Sequence, residues 1–150
     1  MQDQKTATLT AIFSEVLQNL AFMFNDDDDG EVIVGEVWLE TEMGYRGPRG
    51  GNLRFRCSRD FSILLAANLL GTDPESVDSP ARANDAVKEF MNIVCGQLIT
   101  ALHGTEEAFD LTIPELRELQ EAPDLSVTRD AQSSTLCVQG HRLQLVYVPE

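Results

Sequence analysis

The chain has 150 residues, with 11 Lys and Arg against 25 Asp and Glu and a formal charge of −14. A hydrophobic content of 43% excludes disorder, and a chain this long can bury roughly 70% of its unfolded surface in one compact domain. The acidic balance argues against nucleic acid or an anionic membrane as partner, because both require positive charge.

The first periodic segment runs from Thr8 to Phe24, where Phe13, Val16, Leu17, Leu20 and Phe24 recur at helical spacing. An acidic run, Asp26 to Asp29, follows Asn25, and Glu31 to Glu42 is Val-rich with partial alternation, a predicted strand. Gly44 to Gly51 contains Gly47-Pro48 and Gly50-Gly51 and predicts a turn or loop. Leu53 to Cys57 alternates as the return strand of a hairpin, and Phe61 to Leu70 reads as a shorter, mostly buried helix stopped by Gly71. Thr72 to Ser79 is a polar linker. Ser79-Pro80 then supplies an N-cap and a first helical residue for the longest helix, Pro80 to Leu102.

Phe109 to Ile113 is a short strand candidate broken by Pro114, and Leu116 to Leu119 is a candidate helical turn. Leu125 to Thr128, Thr135 to Val138 and Leu143 to Val148 predict strands, the last two joined in a hairpin at Gly140. The order of helix, strands, helix, strands predicts an α+β fold with helices on a largely antiparallel sheet. No run approaches the ~18 apolar residues of a membrane helix. The opening MQDQKTATLTAIFSEVLQNL lacks the features of a signal peptide, so a cytoplasmic location is expected. Cys57, Cys95 and Cys137 are far apart and odd in number, and read as reduced thiols rather than a disulfide frame or a zinc site.

The two long helices superimpose at an offset of 74 residues, placing Phe13, Val16, Leu17, Leu20 and Phe24 on Val87, Phe90, Met91, Val94 and Leu98. This suggests two copies of one helix-plus-strands unit, although any two amphipathic helices can be slid into register. The opposite face separates them. Asp85, Glu89, Asn92 and Gly96 line up on the second helix, where the first has Ala11, Glu15, Gln18 and Phe22. Gly96 costs about 1 kcal/mol against Ala in a helix interior, so close approach of another backbone or another protein is a reason worth seeking. Exposed helix faces also carry Asp, Glu and Asn for solubility alone.

The stretch from Asp85 through Glu89 and Asn92 to Gly96, with Pro114 following Asn92 by 22 positions, resembles the signature helix of the CheC/CheX/FliY family of chemotaxis phosphatases. With one intact signature the chain is most similar to CheX. The resemblance implies that residues 1–150 form a single CheX-like domain. Its fold would be CheC-like, α+β with two pseudo-repeated helix-plus-strands halves and two long helices packed on one face of the sheet.

The resemblance further implies two-component signalling and hydrolysis of the aspartyl phosphate on a CheY-like response-regulator receiver domain. Glu89 would dock by a salt bridge to the receiver's active-site lysine, and Asn92 would orient the attacking water. Asp85, Ile93, Gly96 and Ile99 would contact the partner, the two isoleucines supplying apolar contact where the acidic charge makes electrostatic steering weak. No cofactor of its own is expected, the Mg2+ belonging to the receiver. The residue types suit the chemistry. Phosphoryl transfer needs positioning of an in-line nucleophile more than covalent help. A carboxamide can accept from a water and donate to a phosphoryl oxygen without adding negative charge.

Other readings compete. The same face could serve a non-catalytic receiver-binding or flagellar-switch adaptor, and the Glu31 to Glu42 strand or the final hairpin could pair sheet edges into a homodimer. Asn25, Asp27, Asp29, Gly30, Val32 and Glu36 match a calcium-loop spacing, but a strand follows where that motif needs a helix, so an acidic turn is the better account. His103 and His141 are near no Ser or Cys motif and read as surface or turn residues. Cys95 reads as a packing thiol, and Trp38 as core or interface.

Overall fold

The computed structural model describes residues 2–26, 37–125 and 131–149. In chain order it holds helix α1 (Gln2–Ala21), strands β1 (Trp38–Arg46) and β2 (Gly51–Ser58), and helix α2 (Arg59–Leu70). A 3-10 turn (Pro74–Ser76) leads to helix α3 (Pro80–His103), followed by strands β3 (Asp110–Leu111), β4 (Glu115–Leu119), β5 (Gln132–Val138) and β6 (His141–Pro149). Every strand pairing is antiparallel, in the order β3-β1-β2-β6-β5, with β4 also on β1.

Alternation along the strands assigns the sheet's two faces. Leu39, Met43, Tyr45, Leu53, Phe55, Cys57, Leu143, Leu145 and Tyr147 are buried in one core with the apolar stripes of all three helices. At its centre Phe55 lies 5.8 Å from Phe13, 5.0 Å from Phe90 and 6.5 Å from Phe61, ring centre to ring centre. The α+β class with helices on an antiparallel sheet is thus as expected, with α2 joining the two long helices in one layer.

Gly44 to Gly51 is not one loop. β1 continues through Arg46, pairing Gly44 with Asn52 and Tyr45 with Gly51, so the turn is confined to residues 47–50. Gly51 makes this possible, because a Cβ there would sit 2.8 Å from the Tyr147 ring and 2.9 Å from that of Tyr45. Leu116 to Leu119 is not a helical turn either. β4 pairs residue by residue with β1 from Trp38↔Leu119 to Glu42↔Glu115. Its helix-forming composition yields because an edge of β1 left unpaired would leave backbone groups without partners.

α1 ends at Ala21, three residues before the predicted limit, with Phe22 at φ 55. Phe24 therefore leaves the apolar stripe and is 62% exposed, whereas Leu98, aligned with it by the sequence offset, is 1% exposed. The stripes match at Phe13/Val87, Val16/Phe90, Leu17/Met91 and Leu20/Val94, and break at the fifth pair.

On the sheet's other face, Glu40 is 3% exposed between two cations. Arg56 Nε donates to its Oε2 at 2.8 Å and Arg117 Nη2 to its Oε1 at 2.6 Å. Arg56 also donates to Asp124 O at 3.0 Å and Gln144 Nε2 to Leu125 O at 2.6 Å, so this stretch of chain lies across the face. Leu125 is not in a strand, and residues 126–128 of that predicted strand are outside the described residues.

Of the calcium-spacing residues, Asp27 to Glu36 also lie outside the described residues. Asn25 Oδ1 accepts from Cys137 N at 3.0 Å, and the Asp26 carboxylate accepts from Gln139 N at 3.0 Å and Gly140 N at 2.9 Å. These side chains fasten the β5–β6 turn. Of the predicted Glu31 to Glu42 strand, residues 31–36 lie outside the described residues. Trp38 to Glu42 belong to β1, flanked by β2 on one side and β3 and β4 on the other, which closes that part to edge pairing, while β5 is the outer strand of the final hairpin.

Candidate functional site

α3 carries the expected face. Ser79 Oγ accepts from Arg82 N at 3.4 Å and Pro80 takes the first helical position, which fixes where the helix begins. Val87, Phe90, Met91, Val94 and Leu98 are buried. That stripe against α1, α2 and the sheet sets the helix's rotation, so Asp85, Glu89 and Asn92 must face solvent, with Gly96 half-buried among them.

α3 separates two grooves. One, of about 470 Å³, is formed with α2 and lined by Ala66, Leu69, Leu70, Arg82, Asp85, Ala86 and Glu89. The other, of about 530 Å³, is formed with α1 and holds Asn92, Ile93, Gly96, Gln97, Thr100 and Ala101 opposite Ile12 and Glu15. The structure thus brings Asp85 and Glu89 into one groove and Asn92, Ile93 and Gly96 into the other. Glu89 and Asn92, at i and i+3, stand on the ridge between. Among the described residues neither is engaged in a side-chain hydrogen bond or ion pair.

A Cβ at Gly96 would meet nothing within 4 Å. No packing inside the chain requires the glycine, which leaves the outer surface of the helix as the place where a missing side chain matters. Its carbonyl accepts from Thr100 Oγ1 at 3.2 Å. Ile99, two turns beyond Asn92, lies on the flank of this face but is covered: it is 6% exposed and packed within the core, so it offers no free surface to a partner. Ile93 is half-buried at the groove edge. Pro114, the last residue of the motif, is buried between β3 and β4.

Two groove features were not singled out from the sequence as site residues. Glu15, the counterpart of Glu89 on the first helix, lies across the groove from Asn92. Leu69 and Leu70 wall the Glu89 groove; the visible signal was two leucines at the last turn of a helix, just before Gly71.

The histidines are packed rather than at the surface. His103 Nε2 lies 2.7 Å from Tyr45 Oη, with its ring stacked on Phe109. His141 is 5% exposed against Phe61, and burial holds its pKa below the ordinary value. Burial likewise raises the Cys95 thiol to about 11 and Cys57 to about 12, so both are packing thiols and poor nucleophiles. Trp38 is buried on the sheet face opposite the helices. Among the described residues no group of three His, Cys, Asp or Glu could hold a metal ion, and no helix is long and apolar enough to cross a membrane.

The fold recurs in solved structures. A putative chemotaxis protein from Desulfovibrio vulgaris Hildenborough matches with a TM-score of 0.75 at 18% identity, over 98% of this chain and 97% of that one. The chemotaxis protein CheX from Desulfovibrio desulfuricans matches at 0.71 and 16%, over 98% and 99%. The CheX of a CheX–CheY–BeF3–Mg2+ complex from Borrelia burgdorferi matches at 0.68 and 18%, over 96% of each chain. At such identities these likenesses concern the fold. No curated protein matches the sequence. Residues 41–139, a span that holds all of α3 and Pro114, match the family of chemotaxis phosphatase CheX, and the chain belongs to that family.

Proposed function

We propose that this protein hydrolyses the aspartyl phosphate of a CheY-like receiver domain, with Glu89 docking and Asn92 orienting the water. The observation that carries this reading is the pair itself. A carboxylate and a carboxamide stand one turn apart on a helix whose rotation is fixed by its core, exposed and without partners among the described residues. Membership of the CheX family and the Borrelia chain's complex with CheY support the choice of partner; BeF3 bound to a carboxylate has the shape and charge of a phosphoryl group.

In the reaction, a water oxygen forms a bond to phosphorus as the bond to the aspartate oxygen breaks. A carboxylate and inorganic phosphate are released, and the water's proton passes to the phosphate. Asn92 accepts from the attacking water and donates to a phosphoryl oxygen, fixing the line of attack. Glu89 pairs with the receiver's lysine and so sets how α3 enters. The magnesium ion that neutralises the phosphate is the receiver's. Gly96, one turn beyond Asn92, lets the receiver's backbone come close to the helix, and Asp85 and Ile93 border the contact.

The test is the decay of a phosphorylated receiver with a substoichiometric amount of this protein. Phosphate loss from many receivers per molecule of protein is expected. Binding that leaves the decay unchanged would make the protein an adaptor.

A further inference from the structure

α1 ends on a residue ill-suited to its backbone. α2 closes on Gly71 at φ 68, where a glycine meets no steric penalty. α1 closes instead on Phe22 at φ 55, with its N–H donating to Gln18 O and that of Met23 to Leu17 O, both at 3.1 Å. Left-handed backbone is unfavourable for a side chain with a Cβ, and burial does not repay it here, because the ring is 74% exposed. Met23, the next residue, is 1% exposed and anchors the turn, so the ring is held outward.

The ring's location gives this meaning. Ala21 O accepts from Asn68 Nδ2 at 2.8 Å, which places the end of α1 against the last turn of α2. The next two residues on α2, Leu69 and Leu70, wall the groove that holds Asp85 and Glu89, and Leu70 is 54% exposed. The exposed Leu70 therefore borders the polar face of α3 at its Glu89 end, with Phe22 exposed at the end of α1 that meets this turn of α2. A partner with an acidic phosphorylation site gains little steering from a chain of charge −14. Ile99, the other apolar residue expected at that face, is in the core.

We propose that Phe22 and Leu70 form the apolar anchor against which the receiver domain seats, setting affinity while Glu89 and Asn92 serve docking and hydrolysis. The inference rests on the reading of the chain as a receiver phosphatase. Backbone strain that the surrounding structure holds in place clusters at ligand clamps and binding sites, and aromatic side chains, Phe among them, are enriched at the cores of protein–protein interfaces.

The test compares wild type, Phe22→Gly, Leu70→Ser and Ile113→Ser, the last an exposed control that lines a cavity with Gly44, Asn52 and Val148. Two quantities are read: affinity for a CheY from the same genome loaded with Mg2+ and BeF3, and kcat and KM for decay of its phosphate. Phe22→Gly is expected to raise Tm, because glycine suits the backbone, while weakening binding and raising KM roughly tenfold at unchanged kcat. Leu70→Ser should weaken binding roughly fivefold, and Ile113→Ser should leave it unchanged. Wild-type affinity and KM in Phe22→Gly would overturn the anchor, as would an equal loss in Ile113→Ser. Phe22-dependent binding without faster decay would overturn only the phosphatase reading. Faster decay with a KM that Phe22→Gly does not move would overturn only the anchor. No binding by the wild type would overturn both.

Discussion

Glu89 and Asn92 stand one helical turn apart on α3 and open into different grooves, Glu89 toward Leu69 and Leu70 of α2 and Asn92 toward Ile12 and Glu15 of α1. The two side chains can therefore be occupied at once by different parts of a partner, without competing for one space. Rigidity comes from beneath, because Phe90 and Met91, the residues between them, are wholly buried.

This division predicts separable kinetics. On the docking role proposed for Glu89, Glu89→Ala takes away an ion pair to the receiver, so affinity should fall by about tenfold while kcat changes little. Binding titrations and steady-state rates on the same preparation check it. A loss confined to kcat would contradict the docking role.

Gly96→Ala should pull stability and function apart. The added methyl meets open space and removes the backbone penalty of a mid-helix glycine, so the free protein should gain about 0.5–1 kcal/mol. For a chain this size that is roughly 1–4 °C in Tm. On the proposed docking mode the same methyl stands between α3 and the receiver, and KM should rise about fivefold. A thermal melt and a KM measurement suffice.

Gly51→Ala should fail for the opposite reason. Its Cβ would fall 2.8–2.9 Å from the rings of Tyr147 and Tyr45, whose hydroxyls are 2.8 Å apart and so tie β1 to β6. Overpacking here should cost about 1–3 kcal/mol, read from denaturant unfolding.

Glu40 should set part of the acid limb of stability. Burial pushes its pKa up, but hydrogen bonds from Arg117 and Arg56 outweigh that and hold it below the ordinary 4.5. A carboxylate with a depressed folded pKa stabilises above its unfolded value, and that contribution is lost as pH falls through the folded one. Glu40→Gln should cost about 2–3 kcal/mol at pH 7. Its Tm should converge with that of wild type as the pH drops below about 4. Parallel Tm curves across that range would contradict this.

The helix layer was legible in the sequence because its signals are local. The Ser79-Pro80 start, the Gly71 stop and the 3.6-residue apolar stripe each act within a few residues, and the stripe alone fixes which residues of α3 face out. What was not legible depends on distant partners. Residues 115–119 look helical until β1 offers them hydrogen bonds across more than seventy residues of chain. Phe24 and Ile99 fit helical spacing, yet α1 turns away at Phe22 before reaching Phe24, and Ile99, on the flank of α3 next to Asn92, is covered by the elements packed around it. The grooves beside α3 belong to pairs of helices, and so neither Glu15 nor Leu70 could be placed before the helices were docked.

The most direct test of the account is receiver dephosphorylation by wild type and Asn92→Ala, measured together with the affinity of each for the activated receiver. Asn92 projects outward and makes no side-chain hydrogen bond among the described residues, so the variant should fold and bind the receiver as wild type does. The account predicts that it loses about 10²–10³ in rate, the cost of removing one positioned polar group. Full activity in Asn92→Ala, at unchanged affinity, would contradict it.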